Sequence, residues 1–267
     1  MKCRYLFLFL VFWTLTGCET PEQNDSESLK DLLEGVKLSD LKDDSKSMNT
    51  ESLMVFRVLT YMIVPDSVDE LNEIVDTMSH REVRTSNKIA FHANGFAIGT
   101  SAFEGGSKIA QKLRNIGAVR TAQARMMFPP DKTEVLSRKF LQGTETVYYS
   151  KSSGSTAALT PKQGLWGWVF SARPDPRYRG MAQVKFFPAT WLPVGENIRR
   201  AMGEEAIDYQ PIHEGQVLAR VEEGGVILLG PARSVPDETT LDKLLFYVPG
   251  RRPKVQFFVI ICDSVGT

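Results

Sequence analysis

The chain has 267 residues, 42% of them hydrophobic, with 32 lysines and arginines against 32 aspartates and glutamates. That apolar share excludes a wholly disordered chain, and a net charge of zero gives no electrostatic ground for a nucleic acid partner. Three cysteines in this length exclude a disulfide-stapled scaffold.

The chain opens Met1-Lys2-Cys3-Arg4, continues through the apolar run Tyr5–Thr14 and reaches Leu15-Thr16-Gly17-Cys18. Two cations hold the amino end on the cytoplasmic side, and an apolar run of about ten residues falls short of the roughly 20 that a membrane span needs. Residues 1–17 are therefore expected to be a signal peptide. Its exit resembles the lipobox of bacterial lipoproteins, matched position by position by Leu15, Thr16, Gly17 and Cys18. The resemblance implies cleavage before Cys18 and a covalent lipid on its sulfur, with no other cofactor and no metal expected. It also implies an address: the bacterial cell envelope, anchored to the inner or outer membrane with the folded part outside the cytoplasm. Each lipid methylene buried in the bilayer contributes about 0.8 kcal/mol.

Residues 18–50 are rich in Ser, Asp, Glu and Lys and carry no aromatic side chain. Such a stretch cannot bury enough apolar surface to order itself and reads as an acidic, disordered tether. Leu29, Leu32, Leu33 and Val36 could line one face of a short helix within it, but Gly35 and the narrow stripe leave that helix marginal on its own.

Residues 51–130 read as a small α/β unit in the order β-α-β-β-α-β, and residues 131–267 as a β-rich domain, giving an α+β fold. Met54–Val64 is β-branched and aromatic and stops at Pro65. Ser67 and Glu70 are spaced as a capping box, and Val68, Leu71, Ile74, Val75 and Met78 then follow at helical spacing. Ile89, Phe91 and Ala93 alternate, Asn94-Gly95 can supply the positive φ angles of a type I′ turn, and Phe96 and Ile98 resume the alternation, which predicts a hairpin. Ser107 is placed to cap a second helix with Ile109, Leu113 and Ile116 inward; Gly117 ends it, and Val119–Phe128 is a further strand. Arg81, Arg84, Lys88, Lys108, Lys112, Arg114, Arg120 and Arg125 make this region basic.

After Pro129-Pro130 come short strands at 146–150, 165–172, 181–187, 217–221, 226–229 and 254–262. Between them lie a helical pattern at 239–246 and a loop at 193–214 with a short helix around Ile198–Met202. The last strand is apolar at nearly every position and should lie centrally, covered on both faces. It ends at Cys262, a small buried thiol rather than a nucleophile, and with no cysteine partner in the folded part.

The search for catalytic chemistry finds no constellation, so no enzyme is expected. The glycine-rich turn Gly99–Lys108 departs from the phosphate-loop spacing and carries Glu104. His80, His92 and His213 are scattered, no Gly-x-Ser-x-Gly elbow accompanies Ser153, Ser155 or Ser171, and Glu204-Glu205 and Glu222-Glu223 read as solvated pairs. Trp166, Trp168 and Phe170 project from one side of a strand, with Trp191 close behind; they are either core or an interaction surface for a partner or a cell-wall polymer.

Two stretches resemble the secretins and their periplasmic N-domains. Asn94-Gly95-Phe96-Ala97-Ile98-Gly99 with Leu113-Arg114-Asn115-Ile116-Gly117 is similar to the end of an N-domain. Glu222-Glu223-Gly224-Gly225-Val226-Ile227-Leu228-Leu229-Gly230 with Phe257–Ile261 is similar to the hairpin and final strand of the secretin domain. The resemblance implies a ring component or accessory of a secretion or pilus system. The sequence thus predicts a non-catalytic, lipid-anchored envelope protein that assembles with envelope proteins or with itself. The alternatives are a solute- or glycan-binding lipoprotein and an envelope hydrolase.

Overall fold

The computed structural model describes residues 53–129, 132–141, 146–160, 164–191, 209–234 and 240–266. All belong to one unit spanning 49–267. The signal peptide, lipobox, tether and the helix expected around 198–202 lie outside the described residues.

The α+β, β-rich character holds, and the elements run β1 (Met54–Ile63), α1 (Val68–Asp76), β2 (Val83–Thr85), α2 (Lys88–Ala93), β3 (Phe96–Ser101), α3 (Gly106–Asn115) and β4 (Val119–Phe128). Then come β5 (Thr133–Val135), β6 (Lys139–Leu141), β7 (Val147–Ser150), β8 (Thr156–Leu159), β9 (Gly164–Pro174), β10 (Met181–Trp191), β11 (Gln210–Pro211), β12 (Val217–Glu222), β13 (Val226–Pro231), α4 (Leu241–Phe246), β14 (Tyr247–Val248) and β15 (Lys254–Ser264).

Two antiparallel sheets carry the unit. The first has the order β3-β13-β15-β1-β4 with β14 on β15; the second has the order β2-β12-β10-β9-β5, with β11 on β10 and β6 on β9. Strands from both halves of the sequence share each sheet, so the expected division at residue 130 is not a domain boundary. β13 and β15 are inserted between β3 and β1, and β2 extends β12.

Alternation along the strands explains the layers. Met54, Phe56 and Val58 of β1, Phe96 of β3, Phe128 of β4 and Phe258 and Ile260 of β15 face the second sheet. There Phe56 and Phe128 meet Phe170 edge-on at 5.2 and 4.5 Å, Phe170 stacks on Phe186 at 5.0 Å, and Phe96 meets Trp168 at 4.9 Å. The opposite face of the first sheet receives α1 and α3. Val68, Leu71, Ile74, Val75 and Met78 are all buried, as their spacing requires, and so are Ile109 and Leu113. Gly99 permits this approach, because a Cβ there would stand 2.8 Å from the Cβ of Met78. β15 lies between β13 and β1, the central position that its unbroken apolar run predicts.

Two local expectations fail. Ile89–Ala93 is a helix and not a hairpin strand, so the order is β-α-β-α-β-α-β. Asn87 decides it: its side-chain oxygen accepts from the Ala90 amide at 2.9 Å and caps the helix, while Gly95 with φ +75° turns the chain into β3. Asn94 stays at φ −81° and uses its side chain instead, donating to the Ser150 carbonyl at 3.0 Å and accepting from the Ser150 amide at 2.7 Å. Neither Ser67 nor Ser107 makes a side-chain cap. Ser67 sits in a 3-10 turn leading into α1, and α3 begins one residue earlier, at Gly106. Gly117 closes α3 with φ +72°, as expected.

Candidate interaction surface

Among the described residues, β4 forms one border of the first sheet and pairs there only with β1. It is ten residues long and exposed over Val119–Arg125; of its larger apolar side chains, Val119 and Met127 are 62% and 60% exposed. On the side away from β1 its backbone groups have no partner strand among the described residues, the condition under which an edge accepts another strand. Arg120 and Arg125 and a register shift between Thr60 and Tyr61 moderate this border, since charge and irregularity discourage indiscriminate pairing.

Inward of β4, over β1, β15 and β13, lies a groove of about 390 Å³ on the helix-bearing face of the sheet. Its floor is Leu59 and Tyr61 of β1, Val226 of β13 and Val259 and Ile261 of β15; Ile109, Ala110 and Leu113 of α3 form the wall. These residues meet there because β1, β13 and β15 are in register on that face, with Val226 opposite Ile261 and Leu59 opposite Val259. Arg57, whose Nη2 pairs with Asp263 Oδ1 at 2.6 Å, stands on one part of the rim, and Phe103, 71% exposed, with Glu104 and Ser107 on another. An apolar trough on a sheet whose border strand has no outer partner among the described residues is suited to binding extended polypeptide. The sequence offered only a weak sign of it: β4 reads as a strand, but its position at a border depends on what the remaining strands do.

The residues singled out as an aromatic interaction surface are elsewhere. Trp166, Trp168 and Phe170 are fully buried between the sheets. Trp191 is buried in a small cluster with Val169, Phe187 and Ala189 on the other face of the second sheet. They do project side by side from the strand, but the cover supplied by Phe56, Phe96, Phe128 and Phe246 removes them from the surface, and with them the ground for a glycan-binding face. Cys262 is buried, and desolvation, with the charges of Glu223 and Asp263, pushes its thiol up to about 12, so it stays protonated and unreactive. Cys18, with Leu15, Thr16 and Gly17, lies outside the described residues.

One polar constellation was not visible in the sequence. Asp242 of α4 is completely buried, accepts from the Thr240 hydroxyl and pairs with Arg233 Nε at 3.2 Å, while Arg233 Nη2 donates to the Ala93 carbonyl at 3.2 Å. Burial raises the Asp242 carboxyl above its usual range, against the opposing effects of the Thr240 hydrogen bond and Arg233. Tyr247 donates its hydroxyl to the Arg233 carbonyl, and Lys139 donates to the Tyr247 carbonyl. Gly95 is required beneath Asp242, since a Cβ would lie 2.0 Å from its carboxylate oxygen. Every group in this set is committed to a neighbour, so it ties α2 to α4 and leaves no free acid or base. Among the described residues, no three or more His, Cys, Asp or Glu side chains come together as a metal-holding group, and no helix is long and apolar enough to cross a membrane.

Set against known proteins, the chain matches no family model, no curated protein and no solved structure.

Proposed function

We propose that this is a non-catalytic, lipid-anchored protein of the bacterial cell envelope whose folded unit serves protein–protein assembly. The observation that carries the assembly reading is the border strand β4, exposed over Val119–Arg125 and neighbouring the strand β1 that floors the Leu59–Ile261 groove. An extended segment of a partner envelope protein would add a strand along β4 and satisfy its outward backbone groups, with flanking apolar side chains seated in the groove. The anchor reading is carried by Leu15-Thr16-Gly17-Cys18. The narrower form, a secretin-like ring component, supposes a separate N-domain ahead of the β domain. The interleaving of both halves in each sheet favours the broader one.

Crosslinking in intact cells, followed by purification, tests assembly. Adducts with an envelope protein or with a second copy of the chain are expected. A chain that stays monomeric and carries no adduct contradicts the proposal. Metabolic labelling with palmitate tests the anchor: label is expected on the intact protein and not on a Cys18→Ser variant, and label that persists in the variant overturns it.

A further inference from the structure

The hairpin joining β9 to β10 concentrates positive charge. Its tip runs Pro174-Asp175-Pro176-Arg177-Tyr178-Arg179-Gly180, and its carboxylate is withdrawn from the surface. Asp175 is buried, pairs with Arg220 Nε at 2.6 Å and accepts from the Arg177 amide at 2.8 Å. Desolvation alone would raise its carboxyl, but the Arg177 amide and the Arg220 guanidinium outweigh that and hold it below the usual carboxylate range. Backbone bonds from the Asp175 amide to the Met181 carbonyl at 2.8 Å and from the Met181 amide to the Tyr178 carbonyl at 3.2 Å close the turn, and Gly180 at φ +79° completes it. The tip is thus built around an internal ion pair, and Arg177 and Arg179 are left on its outside with no ion pair among the described residues. Tyr178 projects between them, 52% exposed, its ring covered on one side by Arg220 at 5.2 Å.

The same charge continues onto the outer face of the second sheet. There Arg173 pairs in register with Gln183, and Lys185 with Ser171; with Gln216 they line a shallow groove of about 360 Å³ that holds no carboxylate among the described residues. Glu82, its side chain partly exposed, is held by Arg220 at 3.7 Å, and the exposed acids at this end of the sheet are Glu222, opposite Met181, and Glu223 in the turn that follows.

We propose that this hairpin tip and the adjoining sheet face dock on the anionic headgroup surface of a phospholipid bilayer. Three features favour a membrane over a soluble polyanion. The cations sit on a protruding tip and an open sheet face rather than inside a cleft that could enclose a polymer. An exposed tyrosine stands among them, and such a ring, apolar in body and polar at its end, is at home at headgroup depth. The tip is fixed before it binds, so docking costs little ordering. The surface lies on the second sheet, away from β4, and does not depend on the lipid at Cys18.

The test uses a polypeptide beginning at Glu19, which contains the whole folded unit and no lipid, floated with vesicles of phosphatidylglycerol in phosphatidylcholine or of phosphatidylcholine alone. Binding is expected on the anionic vesicles only, and it should be lost near 1 M salt, where the screening length is about 3 Å. Arg177→Gln combined with Arg179→Gln should weaken it about thirtyfold, the effect of removing two cations near a charged bilayer. The Asp175–Arg220 pair remains in this variant, so unchanged tryptophan fluorescence certifies its fold. Tyr178→Ser should weaken binding while leaving its salt dependence. Equal binding to neutral vesicles overturns the proposal, as does an unaffected double variant. Binding to inorganic polyphosphate without binding to anionic vesicles also overturns it, and assigns the face to a soluble polyanion. Loss of palmitate labelling at Cys18 would not bear on any of these outcomes, so the two readings fail separately.

Discussion

Truncating Phe170 to alanine tests whether both halves of the sequence fold as one unit. The ring is fully buried on β9 and contacts Phe56, Phe128 and Phe186 at 5.2, 4.5 and 5.0 Å. Two of these partners come from the segment that sequence patterning assigns to a separate α/β unit. Phe→Ala in a core costs about 3–5 kcal/mol, and three lost aromatic contacts place this site near the top, at about 4–5 kcal/mol. With a urea m-value near 3 kcal/mol/M for a unit of this size, the midpoint should fall by about 1.5 M. A chain beginning at Glu19 has Cys262 as its sole thiol, and tryptophans 166, 168 and 191 all lie on β9 and β10. Tryptophan emission therefore reports the second sheet, and thiol labelling of buried Cys262 reports the first. Both transitions should coincide in the native chain and shift together in Phe170→Ala. A fluorescence midpoint that falls while Cys262 protection keeps its native midpoint would refute the shared core.

Two further predictions concern charge. Burial lowers Lys139 to about 8, so the unfolded chain, with lysine near its ordinary value of about 10.4, binds more protons between those pH values. Stability should therefore rise as pH climbs from about 8 toward 10; Lys139→Met should flatten that slope and raise the urea midpoint at pH 7, and an unchanged slope contradicts the assignment. Asp175 has the opposite sign: its carboxyl is held low in the fold, so its stabilisation is present above about pH 4 and is lost as pH falls through the folded value. Asp175→Asn, which leaves Arg220 with the looser Glu82 pairing at 3.7 Å and the Tyr178 ring, should cost about 3 kcal/mol at pH 7 and diminish the acid-labile component. A thermal midpoint that does not move at pH 7 would count against it.

What the sequence made legible was local. The stripe Val68, Leu71, Ile74, Val75 and Met78 specifies both α1 and its buried face, because helical spacing and burial coincide there. The apolar run of β15 announces a strand covered on both sides. Ile89-Phe91-Ala93 misleads because so short an alternation suits either a strand or a single helical turn or two, and the deciding group, the Asn87 side chain, precedes it. The pairing of β1 with β15 and of β3 with β13 joins segments far apart in the chain, and no local periodicity records such partners. The aromatic row at 166–170 was legible as a face, but whether it meets solvent depends on rings from β1, β3, β4 and α4. The Asp242 tie draws on Ala93, Gly95, Arg233 and Tyr247 and carries no spacing signal. The border position of β4 was hidden for the same reason: an edge is defined by the strand that is not beside it.

The assembly reading meets its most direct test in a photo-crosslinking amino acid placed at Ala124 on the exposed run of β4, with a second at Ile89, 79% exposed on α2, as control. In intact cells a discrete adduct is predicted from Ala124 and not from Ile89, and Met127→Lys should diminish it. No adduct from Ala124, or the same adducts from both positions, would contradict the assignment of β4 as the surface on which this protein assembles.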